Sequence, residues 1–164
     1  MIARFAASSI LAALVSFAAA AHAQPAGSTY CEVAMEFSID GREIAAPTLL
    51  VRFGEPGDVT IGDPAGHAWR FRVLADAPTV VRRANVIPVS VDLDEIAEGD
   101  AYLRASPRLG AVPGQRAEIE TLFGNGDGRK ARITLVATPR SEAEVEAMKA
   151  DATKADAAEP PPPP

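Results

Sequence analysis

The chain has little of what most catalytic centres are built from. Its 164 residues include one cysteine and two histidines, and His22 falls in the N-terminal leader described below. Metal centres and Ser-His-Asp relays both lean on histidine, and here either would rest on His67 alone. At a loop-to-strand junction beside Gly66 it reads as a solvated side chain. HExxH, CxxC, GxSxG and P-loop spacings are missing. One cysteine, Cys31, excludes an internal disulfide and reads as a small buried hydrophobe. Basic residues number 16 against 22 acidic ones, which argues against nucleic acid as a partner. Beyond the leader there is no second long apolar run, so no transmembrane span is expected.

What is present starts at the N-terminus. Arg4 is followed by an uncharged, mostly apolar stretch from Phe5 to Ala20, then by Ala21-His22-Ala23. Small residues at the two positions that a signal peptidase reads complete a secretory leader, residues 1–23, cleaved after Ala23. The expected location is therefore the periplasm. Cys31 follows Ser28-Thr29-Tyr30 and not the apolar run, which excludes a lipoprotein. Without Arg4 the mature chain has 15 basic and 22 acidic residues. Much of that excess sits in residues 141–164, where Glu142, Glu144, Glu146, Asp151, Asp156 and Glu159 face only Lys149 and Lys154. The domain at 24–140 is long enough for one modest core and too short for two.

Strand patterns fill that domain. Cys31, Val33, Met35, Phe37 and Ile39 are apolar at every second position, and Asp40-Gly41 follows as a hairpin turn. Leu49, Val51 and Phe53 alternate next, with Pro47 at a bulge or edge. Glu55-Pro56-Gly57 reads as a turn, Val59 and Ile61 as a short strand, and Gly62–Gly66 as a loop. Trp69, Phe71 and Val73, and later Val89, Val91 and Leu93, repeat the alternation. Pro47 and Pro107, Leu49 and Leu109, Gly54 and Gly114, and Val59 and Ile119 match at an offset of 60, and Arg70–Ala75 matches Arg132–Ala137 at 62. The pattern reads as two four-strand repeats, 30–78 and 86–140, linked around Arg82-Arg83. The expected fold is all-β: a small antiparallel sandwich or barrel of about eight strands. In the tail, Ser141 and Glu144 form a capping box before an Ala/Glu/Lys-rich stretch with a thin apolar face. That stretch is expected to be a frayed helix or disordered, and Pro160–Pro164 an extended spacer.

Few side chains suggest chemistry. Asn125-Gly126-Asp127-Gly128 fails as a calcium loop, because Phe123 and Thr134 would fall at its first and last ligand positions. It reads as a hairpin turn. Asp92, Asp94, Glu95, Glu98 and Asp100 form an acidic cluster between strands, where paired carboxylates could act as acid and base. Arg70 and Arg72 share one strand face, with Arg132 in the matching place of the second repeat. These three are the candidate ligand or partner contacts, since arginines bind carboxylates and phosphates in forked pairs. No catalytic residue, cofactor or metal ligand is assigned.

Ser106-Pro107-Arg108-Leu109 through Gly114-Gln115-Arg116-Ala117-Glu118-Ile119 resembles a segment of bacterial secretins and TonB-associated exported β modules, with a weaker echo at 46–61. The resemblance implies an exported β module that associates with envelope components. The chain lacks the barrel strands of a secretin, so pore formation is not implied. The expected function is a non-enzymatic periplasmic interaction module that binds an envelope protein by strand addition. The alternatives are a hydrolase using carboxylates of the 92–100 stretch, and a structural envelope protein with a spacer tail.

Overall fold

The computed structural model describes residues 27–62, 68–97, 100–123 and 128–156. The leader, His67, Glu98, Asn125-Gly126-Asp127 and the proline run lie outside the described residues. Among the described residues, eleven strands and one helix follow in order: β1 (Ser28–Ile39), β2 (Arg42–Ala45), β3 (Thr48–Arg52), β4 (Pro56–Gly62), β5 (Ala68–Ala75), β6 (Thr79–Val81), β7 (Ala84–Ala97), β8 (Asp100–Ala105), β9 (Arg108–Ala111), β10 (Arg116–Leu122), β11 (Lys130–Ser141) and α1 (Glu142–Asp156).

These strands reduce to eight rows, because three rows are interrupted. β2 and β3 both pair with β1, separated by Ala46-Pro47. Proline cannot donate to a ladder, so the row bends there, and the Pro47 carbonyl accepts from Met35 N at 2.8 Å. Ser106-Pro107 interrupts β8 and β9 along β7 in the same way, and the Pro107 carbonyl accepts from Val91 N at 3.0 Å. β6 continues the course of β5 along β7, with Asp76 N bonded to the Pro88 carbonyl between them. Two antiparallel sheets result. The first runs β10-β11-β1-β2/β3, and the second runs β4-β5/β6-β7-β8/β9. The turn expected at 55–57 lies two residues earlier, at 53–55. Pro56 and Gly57 already belong to β4, an edge strand where a missing N–H does no harm.

Alternation decides what is buried. Cys31, Val33, Met35 and Phe37 from β1 face Trp69, Phe71 and Val73 from β5 and Ile87, Val89, Val91 and Leu93 from β7, closed by Ala131, Ile133, Leu135 and Ala137 from β11. Phe37 packs edge-on against both Trp69 (5.4 Å between centroids) and Phe71 (5.2 Å).

Each sheet takes its strands from both halves of the chain. The front of the first half (β1–β3) pairs with the back of the second (β10–β11), and the front of the second (β7–β9) pairs with the back of the first (β4–β6). The registers correspond. Phe37↔Ala45 in β1/β2 has its counterpart in Leu93↔Ala105 of β7/β8, and each is followed by a register shift. Val73↔Val91 corresponds to Met35↔Leu135, and Val59↔Phe71 to Ile119↔Ile133. Gly54 N to the Ala75 carbonyl and Gly114 N to the Ala137 carbonyl both measure 2.9 Å. Where β3 meets β4, a Cβ on Gly57 would lie 2.5 Å from Val51 Cγ1. At the matching corner, where β9 meets β10, Ala111 and Ala117 occupy these two places.

The tail is ordered as a helix over Glu142–Asp156. Ser141 Oγ accepts from Glu144 N, while Glu144 Oε2 accepts from Ser141 N and Oγ, both at 2.7 Å. Val145 is buried where α1 lies against β1 and β11, whereas Met148 is exposed. Arg140 adds to this contact by tying Glu144 to Glu32.

Candidate functional site

The three arginines singled out from the sequence do not form one row. Arg70 and Arg72 lie on the outer face of the second sheet, and Arg132 lies on the outer face of the first, across the sandwich. Each faces carboxylates. Arg70 Nε and Nη2 both donate to Asp94 Oδ2. Arg72 pairs with Asp58 at 3.0 Å, and Arg132 with Glu118 and Glu120 at 3.3 Å. Lys130 joins Arg132 in holding the Glu120 carboxyl below its usual range.

The acidic stretch is also placed differently from the sequence reading. Asp92, Asp94 and Glu95 belong to strand β7 and not to a loop. Period-two geometry sends Asp92 and Asp94 to the outer face and Glu95 to the core face, so the three do not converge on one substrate position. Asp92 accepts from Ser106 Oγ. Among the described residues no group of three or more His, Cys, Asp or Glu side chains is placed to hold a metal.

Glu95 is the residue that sequence reasoning undervalued. It follows Val89, Val91 and Leu93 at the same parity, and that alternation was the available signal. Its side chain is only 7% exposed and binds Arg104 at 2.6 Å and Arg129 at 3.5 Å. Arg129 lies 4.9 Å above the Phe123 ring, Phe123 stacks on Trp69, and Arg104 lies 5.6 Å above Tyr102. A buried charge cluster thus closes one end of the core. Trp69 Nε1 is buried beside it without a hydrogen-bond partner among the described residues.

The other half of the molecule builds the matching place without charges. Glu95↔Tyr102 corresponds to Ile39↔Arg42, and the bulged Arg104 corresponds to the bulged Ile44. Ile39 and Ile44 pack against the core where Glu95 and Arg104 form an ion pair.

A second asymmetry concerns the edges. β2 and β8 are matching edge rows, and among the described residues each has one strand neighbour. β2 presents Arg42 and Glu43, both exposed. Charges at an edge discourage further pairing. At the matching places β8 presents Tyr102, 48% exposed, and Leu103, 62% exposed. Leu122, also exposed, ends β10 on the side of the sandwich where β9 and β10 meet. On the outer face of the first sheet, Ala34, Ala46, Thr48 and Val136 line a shallow groove of about 260 Å³, with Arg116 and Glu36 paired beside it at 2.8 Å.

Cys31 is fully buried, and burial pushes its thiol pKa up to about 11. A thiol held protonated is a packing group and not a nucleophile. No family model, curated protein or solved structure matches this chain.

Proposed function

We propose that this chain is a non-enzymatic, exported β-sandwich that binds an envelope protein by adding the partner's extended segment to the β8 edge. The observation that carries the reading is the contrast between two matching edges: Arg42-Glu43 guards one, and Tyr102-Leu103 is left open on the other. An unguarded apolar edge is a hazard unless something covers it. Main-chain ladder bonds would supply affinity, and a segment with alternating apolar residues would fit Tyr102 and Leu103 on the two faces of the strand. Glu95 supports the same strand from inside by fixing Arg104 at the bulge. The matching registers further support descent of the two halves from one duplicated unit; the apolar run at 5–20 before Ala21-His22-Ala23 supports residues 1–23 as the removed leader.

The test copies the guarded edge onto the open one. Mature protein and the Tyr102→Arg/Leu103→Glu variant are each used as bait in a periplasmic extract. An envelope protein retained by the parent is expected to be lost from the variant, and its binding should slow amide exchange in β8. Equal retention by both baits would refute the edge assignment. An intact mass starting at Met1 would refute export.

A further inference from the structure

The two halves are joined covalently at one place, the turn between β6 and β7. Val81 pairs with Ala84, leaving a two-residue turn with φ of 48° at Arg82 and 72° at Arg83. Two successive positive φ values between paired strands make a type I′ turn, which strongly prefers Asn-Gly or Asp-Gly. The molecule contains a comparison. Asp40 and Gly41, at 49° and 81°, make the same turn between β1 and β2 with the preferred residues. Arg82 and Arg83 each carry a Cβ that crowds the backbone in this region.

Three further observations concern the same hairpin. Thr79, Val80 and Val81 are all β-branched and favour an extended chain over a reversal. Val80 is 74% exposed and Val81 50%, so the closed hairpin leaves its apolar side chains in water. The long ladders β5/β6–β7 and β1–β11 run between the halves and not within them. Any other copy of the chain offers the same ladders in the same registers.

From these observations we propose that a second copy of the chain is a binding partner, reached by exchange of halves at Arg82-Arg83. The turn opens, β6 runs straight into β7, and β4–β6 of each copy pair with β7 of the other. Both sandwiches are rebuilt with all their native ladders, and two strained turns are relieved per dimer. The two straightened hinge segments lie side by side and lengthen the β6–β7 ladder past Val81. The exchange is reciprocal and therefore closes as a two-fold dimer, with no free ends to extend into a filament. Four arginines gather at the hinge, so salt favours the dimer.

The experiment uses the mature full-length chain, refolded at about 100 μM, a concentration at which association competes with closure, and analysed by size exclusion with light scattering. A dimer is expected, increasing with ionic strength. Arg82→Asn/Arg83→Gly installs the preferred turn and should lower the dimerisation constant by on the order of a hundredfold, because both turns count. Exchange is told from simple association by Arg72→Cys/Asp92→Cys, which places a cysteine pair at facing positions of β5 and β7. Oxidised dimer should be covalently linked on a non-reducing gel. A monomer under all conditions overturns the proposal. So does a dimer whose cross-link stays within one chain, or one indifferent to the Asn-Gly turn.

Discussion

Replacing Glu95 and Arg104 by isoleucine, singly and together, tests whether the buried charge cluster is part of the fold or an addition to it. In Glu95→Ile, Arg104 loses its carboxylate while its side chain is only 18% exposed. Removing one member of a buried pair costs about 3–5 kcal/mol, mostly because the other is left uncompensated. In Arg104→Ile, Glu95 keeps Arg129 at 3.5 Å, so the expected loss is smaller, about 1–2 kcal/mol. The double variant recreates the apolar pair that Ile39 and Ile44 already form at the matching place. It should return to within about 1 kcal/mol of the parent, giving a coupling energy of about 3–7 kcal/mol. Urea unfolding followed by fluorescence is a direct assay, because Trp69 is the sole tryptophan and stacks on Phe123 beside the site. A double variant as unstable as Glu95→Ile alone would refute the equivalence of the two halves at this position. A stable double variant that no longer binds its partner would assign the cluster to the surface it supports.

Substitutions at Gly57, Val51 and Cys31 test other parts of the core. Gly57→Ala should destabilise by about 1–3 kcal/mol, because the new methyl meets the buried Val51 at 2.5 Å. Adding Val51→Ala copies the Ala111/Ala117 corner, so chemical denaturation should show a combined loss smaller than the sum of the two single losses. Cys31 should resist aromatic disulfide reagents in the folded protein and react at once in urea. Its folded pKa of about 11 lies above the ordinary 9.0, so the unfolded state loses the proton first as pH rises. Stability should fall across that interval, and Cys31→Ala should remove that part of the alkaline dependence in a pH series of melting curves.

The strands that are legible in the sequence are those with one face in the core. From Cys31 to Phe37 and from Trp69 to Val73 each second residue is buried, and burial is what period two records. Pro47 and Asp40-Gly41 could be placed because backbone chemistry alone restricts them. Glu95 was misread because its negative charge was grouped with chain neighbours that point the other way. Its proper neighbours, Leu93 and Val91, are two and four residues back. Sheet membership was beyond local pattern altogether: the flank of β1 is filled by β11, a pairing of Ser28 with Ser141 that no short window contains. The contrast between Arg42-Glu43 and Tyr102-Leu103 acquires meaning only once both are known to lie on matching edges. Helix α1 was underestimated for a related reason, since Val145 gains its burial from distant strands and not from helical neighbours.

Pairing the first strand with the last also governs when the molecule can fold. A ribosome delivers β1 long before β11 exists, and until then one flank of β1 has no native neighbour. Contacts this distant along the chain make for slow, all-or-none folding. A product truncated anywhere before residue 130 would leave Phe37 and its neighbours uncovered, and quality-control proteases would meet it as an open chain.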